Sequence, residues 1–130
     1  MATGSVNRLV PIEAGGTGQT GVPNAETDKN TIFDSINTSA GYSITSVSFI
    51  KWGKIAQVTI VFQTSNGLTG GGASGKIGQL ASAYCPKIVT GCMLRVNDGY
   101  GYVTNTGNIW VNGTVPANTD TYVYAFYLLP

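Results

Sequence analysis

Histidine is absent from this chain of 130 residues, and cysteine occurs only twice. Without histidine, neither a Ser-His-Asp triad nor a Cys-His nucleophile pair can form, and no zinc site of cysteine and histidine ligands can be assembled. Cys85 and Cys92 lie in one short stretch, and we expect free, buried thiols because a protein made in a reducing cytosol keeps its thiols. The sequence therefore predicts no enzyme, no metal and no cofactor.

Charge is also scarce, since only 10% of the residues are charged, against roughly 25% in ordinary soluble proteins. Seven Lys and Arg face six Asp and Glu, for a net charge of +1. Such a balance attracts neither nucleic acid nor anionic lipid. No apolar run approaches the roughly 20 residues that a bilayer requires, and the first residues do not resemble a signal peptide. We expect one domain that binds no nucleic acid and inserts into no membrane.

Helical periodicity is weak, with at most a turn or two in "NAETDKNTIFDSI". From Gly41 onward, apolar and polar residues alternate as in half-buried strands. "YSITSVSFIKW" and "KIAQVTIVFQT" form an expected hairpin that turns at Gly53. Shorter segments separated by Gly or Asn-Gly follow, and "TYVYAFYLL" closes the chain. Six or seven strands predict an all-β fold, an antiparallel β-sandwich or jelly roll.

The composition divides the chain in two. Residues 41–130 are expected to form the sandwich head, whereas residues 1–40 are too rich in Gly, Asn and Thr to bury a face of their own. A head of about 90 residues buries only on the order of 60% of its unfolded surface. Association with copies of the same chain would add burial, and residues 1–40 would then gain order mainly from neighbouring chains.

The N-terminal stretch "VPIEAGGTGQTG" carries no phosphate-binding signature, because no lysine follows its glycines and Pro23 interrupts any helix. It resembles instead the "P-I-x-x-G-G-T-G-x-T" motif of bacteriophage tail-fibre and related tail proteins. In those proteins a segment follows that Ala25, Lys29, Asn30 and Ile32 match loosely. Val22, Pro23 and Asn24 stand where alanines are usual.

A second resemblance covers residues 47–129, which look like the small β-sandwich heads of phage fibres and receptor-binding proteins. In those heads the motif "I-G-x-L-P-x-x-Y-x-P" is usual. The corresponding stretch of this chain is "IGQLASAYCPK", in which Ala81 replaces the first proline. The resemblances imply a homotrimer in the virion, assembled in the bacterial host cytoplasm and joined to other virion tail proteins. Its N-terminal stretch would wind around a three-fold axis, where three backbones approach closely. The residues expected at this junction are Gly15, Gly16, Thr17 and Gly18.

A fibre head would bind a host cell-surface saccharide or protein, and sugar recognition needs an aromatic face beside polar side chains. "RVNDGYGYVTNTGNIW" has that mixture. The alternative is that Asn97-Asp98-Gly99 and Asn105-Thr106-Gly107 are hairpin turns while Tyr102 and Trp110 pack in the core or between subunits. The candidate receptor-binding residues are Arg95, Asn97, Asp98, Tyr100 and Asn105.

Other aromatic residues are expected to serve structure. Trp52, beside the predicted turn, is assigned to the core or an interface. Tyr122, Tyr124 and Phe126 would occupy one face of the last strand. The opposite face, with Val123, Ala125 and Tyr127, is equally apolar, which indicates a buried strand or a subunit contact.

Three functions are compatible with these patterns. The first is the distal part of a tail fibre that attaches to the host bacterial surface, through surface polysaccharide. The second is a structural baseplate or tail-assembly component without receptor binding. The third is a small glycosidase, which would have to use Asp98 and Asp120 as its carboxylate pair; a depolymerase site in so short a sandwich is disfavoured.

Overall fold

The part of the chain that the structure describes folds into eight β-strands and very little helix. The structure, a computed structural model, describes residues 24–69, 74–94 and 99–130. Within these ranges the only α-helix is α1 (Lys29–Ile32), and two 3-10 turns cover Thr38–Ala40 and Ser82–Tyr84. The strands are β1 (Phe33–Ile36), β2 (Tyr42–Trp52), β3 (Ile55–Thr64), β4 (Ser74–Leu80), β5 (Thr90–Leu94), β6 (Tyr100–Val103), β7 (Asn108–Asn112) and β8 (Thr121–Leu128).

All eight strands belong to one sheet. Its order is β1-β4-β7-β6-β5-β8-β3-β2, and all neighbouring strands are antiparallel. The edge strands β1 and β2 are consecutive in the chain. Between them the Asn37 N–H donates to the Ile77 carbonyl of β4 at 2.8 Å, and the Tyr42 N–H donates to the Asn37 carbonyl at 3.2 Å. The two edges thus meet at one end and the sheet is nearly closed, which confirms the predicted all-β antiparallel fold.

One hydrophobic core fills the inside of this sheet. Strand side chains alternate between the two faces, so Val58, Ile60 and Phe62 of β3 all point inward and are at most 1% exposed. The rings of Tyr42 and Phe62 lie 6.0 Å apart between centroids. Burial of such side chains stabilises the fold by roughly 1.5–3 kcal/mol each. The core also includes Ile44, Val47, Phe49, Ile77, Leu80, Val103, Ile109, Val111 and Val123.

The hairpin of β2 and β3 forms as predicted. Gly53 has a φ of +60°, a left-handed conformation that glycine adopts without steric cost. The strands then pair from Trp52 opposite Ile55 to Tyr42 opposite Thr64, with one irregularity between Ile44 and Ser46. The longest pairing in the sheet therefore starts from a two-residue turn that the sequence makes recognisable.

Residues 24–36 form one helical turn and then a strand. Asp28 caps α1, because its Oδ1 accepts the Asn30 N–H at 2.9 Å. The predicted turn of helix is confirmed, but β1 is an eighth strand that the alternation did not predict. Ile32 is completely buried, and its carbonyl accepts the Ala81 N–H at 2.8 Å. Residues 33–36, which belong to the segment 1–40 that was expected to gain order mainly from neighbouring chains, thus pair within the sheet. No helix in the described ranges has the length and apolar character needed to cross a membrane.

Candidate functional site

The predicted receptor-binding residues do not converge in the described part of the chain. Tyr100, 54% exposed, is the first residue of β6, and Asn105 is exposed in the turn beyond the last residue of that strand. The strand between them is about 10 Å long. Arg95, Asn97 and Asp98 lie outside the described residues, as do Gly15, Gly16, Thr17 and Gly18 of the predicted trimer junction.

The alternative interpretation of Asn105-Thr106-Gly107 as a turn is correct. The Gly107 N–H donates to the Thr104 carbonyl at 2.9 Å, and Gly107 has a φ of +93°. A Cβ there would lie 2.7 Å from the Leu80 carbonyl oxygen and 2.8 Å from Cys85 Sγ. This turn therefore requires glycine on two grounds, conformation and space.

The described loops lie at two ends of the sheet, as the strand register shows. One end, here called the hairpin end, contains the β2–β3 turn, residues 81–89, the turn at 104–107 and residues 129–130. Residues 37–41, 65–69 and 113–120 lie at the opposite end, where Tyr100 begins β6. Asn105 and Tyr100 therefore belong to opposite ends.

The outside of the sheet carries a continuous apolar surface, here called the apolar outer face. The register shows that its members share one face, because Trp52 is opposite Ile55, Ile55 is opposite Leu128, and Tyr124 is opposite Met93. Met93 is in turn opposite Tyr100. The face spans five adjoining strands and consists of Trp52, Ile55, Met93, Tyr100, Tyr124, Phe126 and Leu128, all of them exposed.

The apolar outer face is uncharged as well as exposed. The other residues that the register places on this side of β3 and β5 are Gln57, Thr59, Val61, Gln63 and Gly91, none of them charged. A shallow depression of about 400 Å³ lies between Gln57, Gly91, Met93, Tyr124 and Phe126. Large contiguous apolar surfaces of this kind mark interaction sites in soluble proteins.

The remaining predicted structural aromatics lie outside the core. Tyr102 is opposite Trp110, and both are half-buried on the outer side of the sheet, while Ile109 and Val111 point inward. Trp52 is exposed at the edge of the apolar outer face. The assignment of these three residues to the hydrophobic core is therefore wrong, because the strand period directs them outward; their assignment to a subunit interface stays a prediction.

A second feature is a polar cleft at the hairpin end, with a volume of about 440 Å³. It lies at the mouth of the nearly closed sheet, where Phe49 and Lys51 of β2 both belong to the inward-facing set of residues. Mouths of closed sheets are common ligand sites. The cleft is lined by Asn24, Glu26, Phe49, Lys51, Gly53, Ala83 and Tyr84.

The cleft walls are held in place by contacts to Phe49. Glu26 pairs with Phe49 through two main-chain hydrogen bonds, of 2.8 and 2.9 Å. The Tyr84 ring meets the Phe49 ring at 90°, with centroids 4.7 Å apart. The Tyr127 hydroxyl donates to the Tyr84 carbonyl at 2.5 Å. The carboxylate and the aromatic ring of the cleft thus have a common rigid support.

A second cavity of about 490 Å³ adjoins the cleft and shares Lys51, Gly53 and Ala83 with it. Its other walls include Lys54, whose Nζ donates to the Pro130 main-chain oxygen at 2.5 Å. The Leu129 N–H also donates to the Lys54 carbonyl, at 2.7 Å. The cleft and this second cavity, which share lining residues beside the turn of the β2–β3 hairpin, are together called the groove here.

The described ionisable groups do not form a metal or nucleophile site. No cluster of three His, Cys, Asp or Glu side chains occurs among them. Cys85 and Cys92 are free and buried, as predicted. Burial, and secondarily the Asp34 carboxylate, raises the pKa of Cys85, and burial raises the pKa of Cys92 to about 12. Both thiols are therefore protonated at neutral pH and poor nucleophiles.

The carboxylate pair required by the glycosidase hypothesis is described only in part. Asp120 is exposed, and its Oδ1 accepts hydrogen bonds from Gln63 Nε2 at 2.8 Å and from Thr45 Oγ1 at 3.2 Å. Asp98 lies outside the described residues. The Asp120 carboxylate thus connects the loop before β8 to strands β2 and β3.

The cleft residues were not predicted from the sequence as site residues. They come from three separate segments, around residues 24–26, 49–53 and 83–84, and no local motif joins these segments. Tyr84 was noted only as part of the "IGQLASAYCPK" resemblance. The available signal was the positive charge at the hairpin turn, because Lys51 lies two residues before Gly53 and Lys54 is the second residue of the turn.

Comparison with known proteins gives no assignment, since neither a protein-family model nor a curated protein matches the chain.

Proposed function

We propose that this chain is the distal part of a phage or phage-derived tail fibre that attaches to the host bacterial surface by binding surface polysaccharide. In this proposal the protein is a homotrimer without enzymatic activity, located in the virion and connected to other tail proteins. In this proposal the nearly closed antiparallel sheet serves as the head that the resemblance implies. The GGTG stretch and the "IGQLASAYCPK" stretch supply the resemblance to tail proteins.

The observation that carries the proposal is the apolar outer face. A surface of seven exposed apolar side chains on five strands is unfavourable in water, and its burial is the main driving force for association. Interfaces between identical subunits are more apolar than other interfaces and have few charges at their centre. A second copy of this chain therefore fits the face, and contacts that close around an axis produce a ring such as a trimer.

The proposal also divides the predicted receptor residues between two roles. Tyr100 lies next to Met93 within the apolar outer face, so in the trimer it contacts a neighbouring subunit. Asn105 lies at the hairpin end and is exposed in its turn, so it remains accessible to a receptor. Host binding would then use the ends of the sheet, and association would use its side.

Mass in solution tests the oligomer. Light scattering at micromolar concentration should give about three chain masses. Changing Met93→Ser together with Phe126→Ser should reduce this mass to one chain while leaving the circular dichroism of the sheet unchanged. Ile88→Ser is the matched control, because Ile88 is 69% exposed but lies outside the strands. A monomeric wild-type chain would contradict the fibre proposal.

Binding to cells separates attachment from a purely structural role in the tail. The fluorescently labelled chain is mixed with a panel of intact bacterial strains and measured by flow cytometry. We expect saturable binding to a subset of strains, lost after periodate oxidation of their surface sugars. Absence of binding to every strain, with the oligomer intact, would support the baseplate or tail-assembly alternative instead.

A further inference from the structure

We propose that the cleft of Asn24, Glu26, Lys51 and Tyr84 binds a saccharide, and that the adjoining cavity takes the next sugar of the same polysaccharide. The inference rests on the proposed function and names a site for it. It assigns recognition to residues outside the predicted set of Arg95, Asn97, Asp98, Tyr100 and Asn105.

The chemistry of the cleft walls matches a hydroxylated ligand. Tyr84 supplies an aromatic ring for the C–H surface of a sugar. Glu26 supplies acceptor oxygens for hydroxyl groups, and Lys51 and Asn24 supply donors. A carboxylate and an ammonium in one cleft carry no net charge, which disfavours phosphate groups and strongly acidic or basic peptides. An uncharged ligand with several hydroxyl groups can contact all four of these side chains.

The polar side chains of the cleft keep hydrogen-bonding capacity that a ligand can use. Glu26 Oε2 accepts the Asp28 N–H at 3.1 Å, which orients the carboxylate and leaves its second oxygen available. Among the described residues, none makes a hydrogen bond or ion pair with the side chains of Lys51 or Asn24. A site with fixed walls and unused donors needs little reorganisation on binding.

The dimensions of the groove favour a chain of sugars. The cleft, at about 440 Å³, has the size of a typical ligand site. The adjoining cavity of about 490 Å³ shares Lys51 and Gly53 with it, so neighbouring sugar units could occupy both. The space beside Gly53 is open, since a Cβ at this position would have nothing within 4 Å.

The test is an NMR titration of the full-length ¹⁵N-labelled chain with glucose, galactose, mannose, rhamnose and N-acetylglucosamine, each at millimolar concentration. At least one of these sugars should shift the amide signals of Glu26, Lys51, Gly53 and Tyr84. Signals from Met93 and Phe126, on the apolar outer face, should not move. If none of the five sugars shifts the cleft signals, or if the shifts lie elsewhere, the inference is wrong.

Two conservative variants make the test specific. Glu26→Gln and Lys51→Gln should each weaken sugar binding about tenfold, because a hydrogen bond involving a charged group is lost or weakened. Asp34→Asn and Lys76→Gln are the matched controls, since these residues lie on β1 and β4 and outside the cleft. Equal binding by the cleft variants and the controls would overturn the inference.

The same variants separate this inference from the proposed function. If the wild-type chain binds bacterial cells and Glu26→Gln and Lys51→Gln bind equally well, attachment stands and the cleft is not its site. If the wild-type chain binds no cells, the proposed function fails whatever the titration shows. Sugar binding in the titration would then identify a saccharide site with another purpose.

Discussion

Strand β8 has apolar side chains on both faces, but the chain itself covers only one of them. The inner residues Val123, Ala125 and Tyr127 are buried, whereas the outer residues Phe126 and Leu128 are 64% and 57% exposed. Both sets are equally apolar in the sequence. The difference shows that hydrophobic composition does not determine which face forms the core, because the direction in which the sheet closes also decides it.

Polar atoms reinforce this difference between the faces. The Tyr127 hydroxyl lies on the inner face and donates to the Tyr84 carbonyl at 2.5 Å. Its burial, and secondarily the nearby Cys85 thiol, raises the pKa of Tyr127. On the outer face, Tyr122 and Tyr124 stack on each other with centroids 6.2 Å apart. The inner tyrosine of β8 thus satisfies its hydroxyl within the protein, whereas two of its outer tyrosines contact each other through their rings.

The largest expected effect comes from one phenylalanine on each face. Phe62→Ala should lower the free energy of unfolding by about 3–5 kcal/mol, because Phe62 is fully buried and its loss leaves a cavity. Phe126→Ala should change the stability of a single chain by less than about 0.5 kcal/mol. Urea unfolding measures both.

Protein concentration sharpens this first comparison. If the apolar outer face joins copies of the chain, the unfolding midpoint of the wild type should rise with concentration, and Phe126→Ala should reduce that dependence. Phe62→Ala should lower the midpoint at every concentration. Equal losses in the two variants at low concentration would show that Phe126 belongs to the core after all.

Two glycines on β5 and β6 provide a comparison of intermediate size. Gly101 faces inward, and a Cβ there would collide with the Trp110 carbonyl oxygen and lie 3.1 Å from Cys92 Sγ. Gly101→Ala should therefore destabilise the fold by about 1–3 kcal/mol. Gly91 faces outward with its nearest atom at 3.9 Å, so Gly91→Ala should stabilise it by about 0.4–1 kcal/mol. Thermal unfolding of the two variants measures these changes. A lower melting temperature for Gly91→Ala would mean that the outer side of the sheet is more crowded at this position than the structure indicates.

The last comparison concerns pH and the adjacent residues Cys92 and Met93. Burial raises the pKa of Cys92 from 9.0 to about 12. Because the pKa is higher in the folded state, the stabilising contribution is complete below pH 9 and is lost as the pH rises from 9 toward 12. The expected loss is up to about 1.4 kcal/mol per pH unit.

Substitution identifies the group that is responsible for this loss. Urea unfolding between pH 8 and pH 11 should show a shallower decline in Cys92→Ala than in the wild type. Met93→Ala, on the outer face, should keep the wild-type slope. A Cys92→Ala slope identical to that of the wild type would indicate that Cys92 does not titrate differently on unfolding.

Most of the sheet could be predicted from local sequence signals. The β2–β3 hairpin follows from alternation on both sides of Gly53, and the turn before Gly107 follows from Asn105-Thr106-Gly107. β1 could not be predicted, because four residues with the burial pattern of Phe33–Ile36 are too few to establish a period. Its pairing with β4 joins residues more than 40 positions apart.

The candidate site was less predictable than the fold. The composition of residues 95–110 predicted a receptor-binding site there. In the structure its two described members, Tyr100 and Asn105, lie at opposite ends of strand β6. The cleft depends on Glu26 pairing with the main chain of Phe49 and on Tyr84 packing against the Phe49 ring. Such contacts are consequences of how the sheet closes, and no spacing within one segment encodes them.

The incomplete closure of the sheet also has a mechanical consequence. β2 pairs with β3 along nearly its whole length. On its other side the described hydrogen bonds to its main chain are few: the Glu26–Phe49 bridge, the Tyr42 N–H to the Asn37 carbonyl, and the Lys29 ammonium to the Ile44 carbonyl at 3.4 Å. A sideways pull on the molecule would therefore open the gap between β1 and β2 before any other strand pair. We therefore expect the nearly closed sheet to behave as a split ring, with its weakest line between β1 and β2.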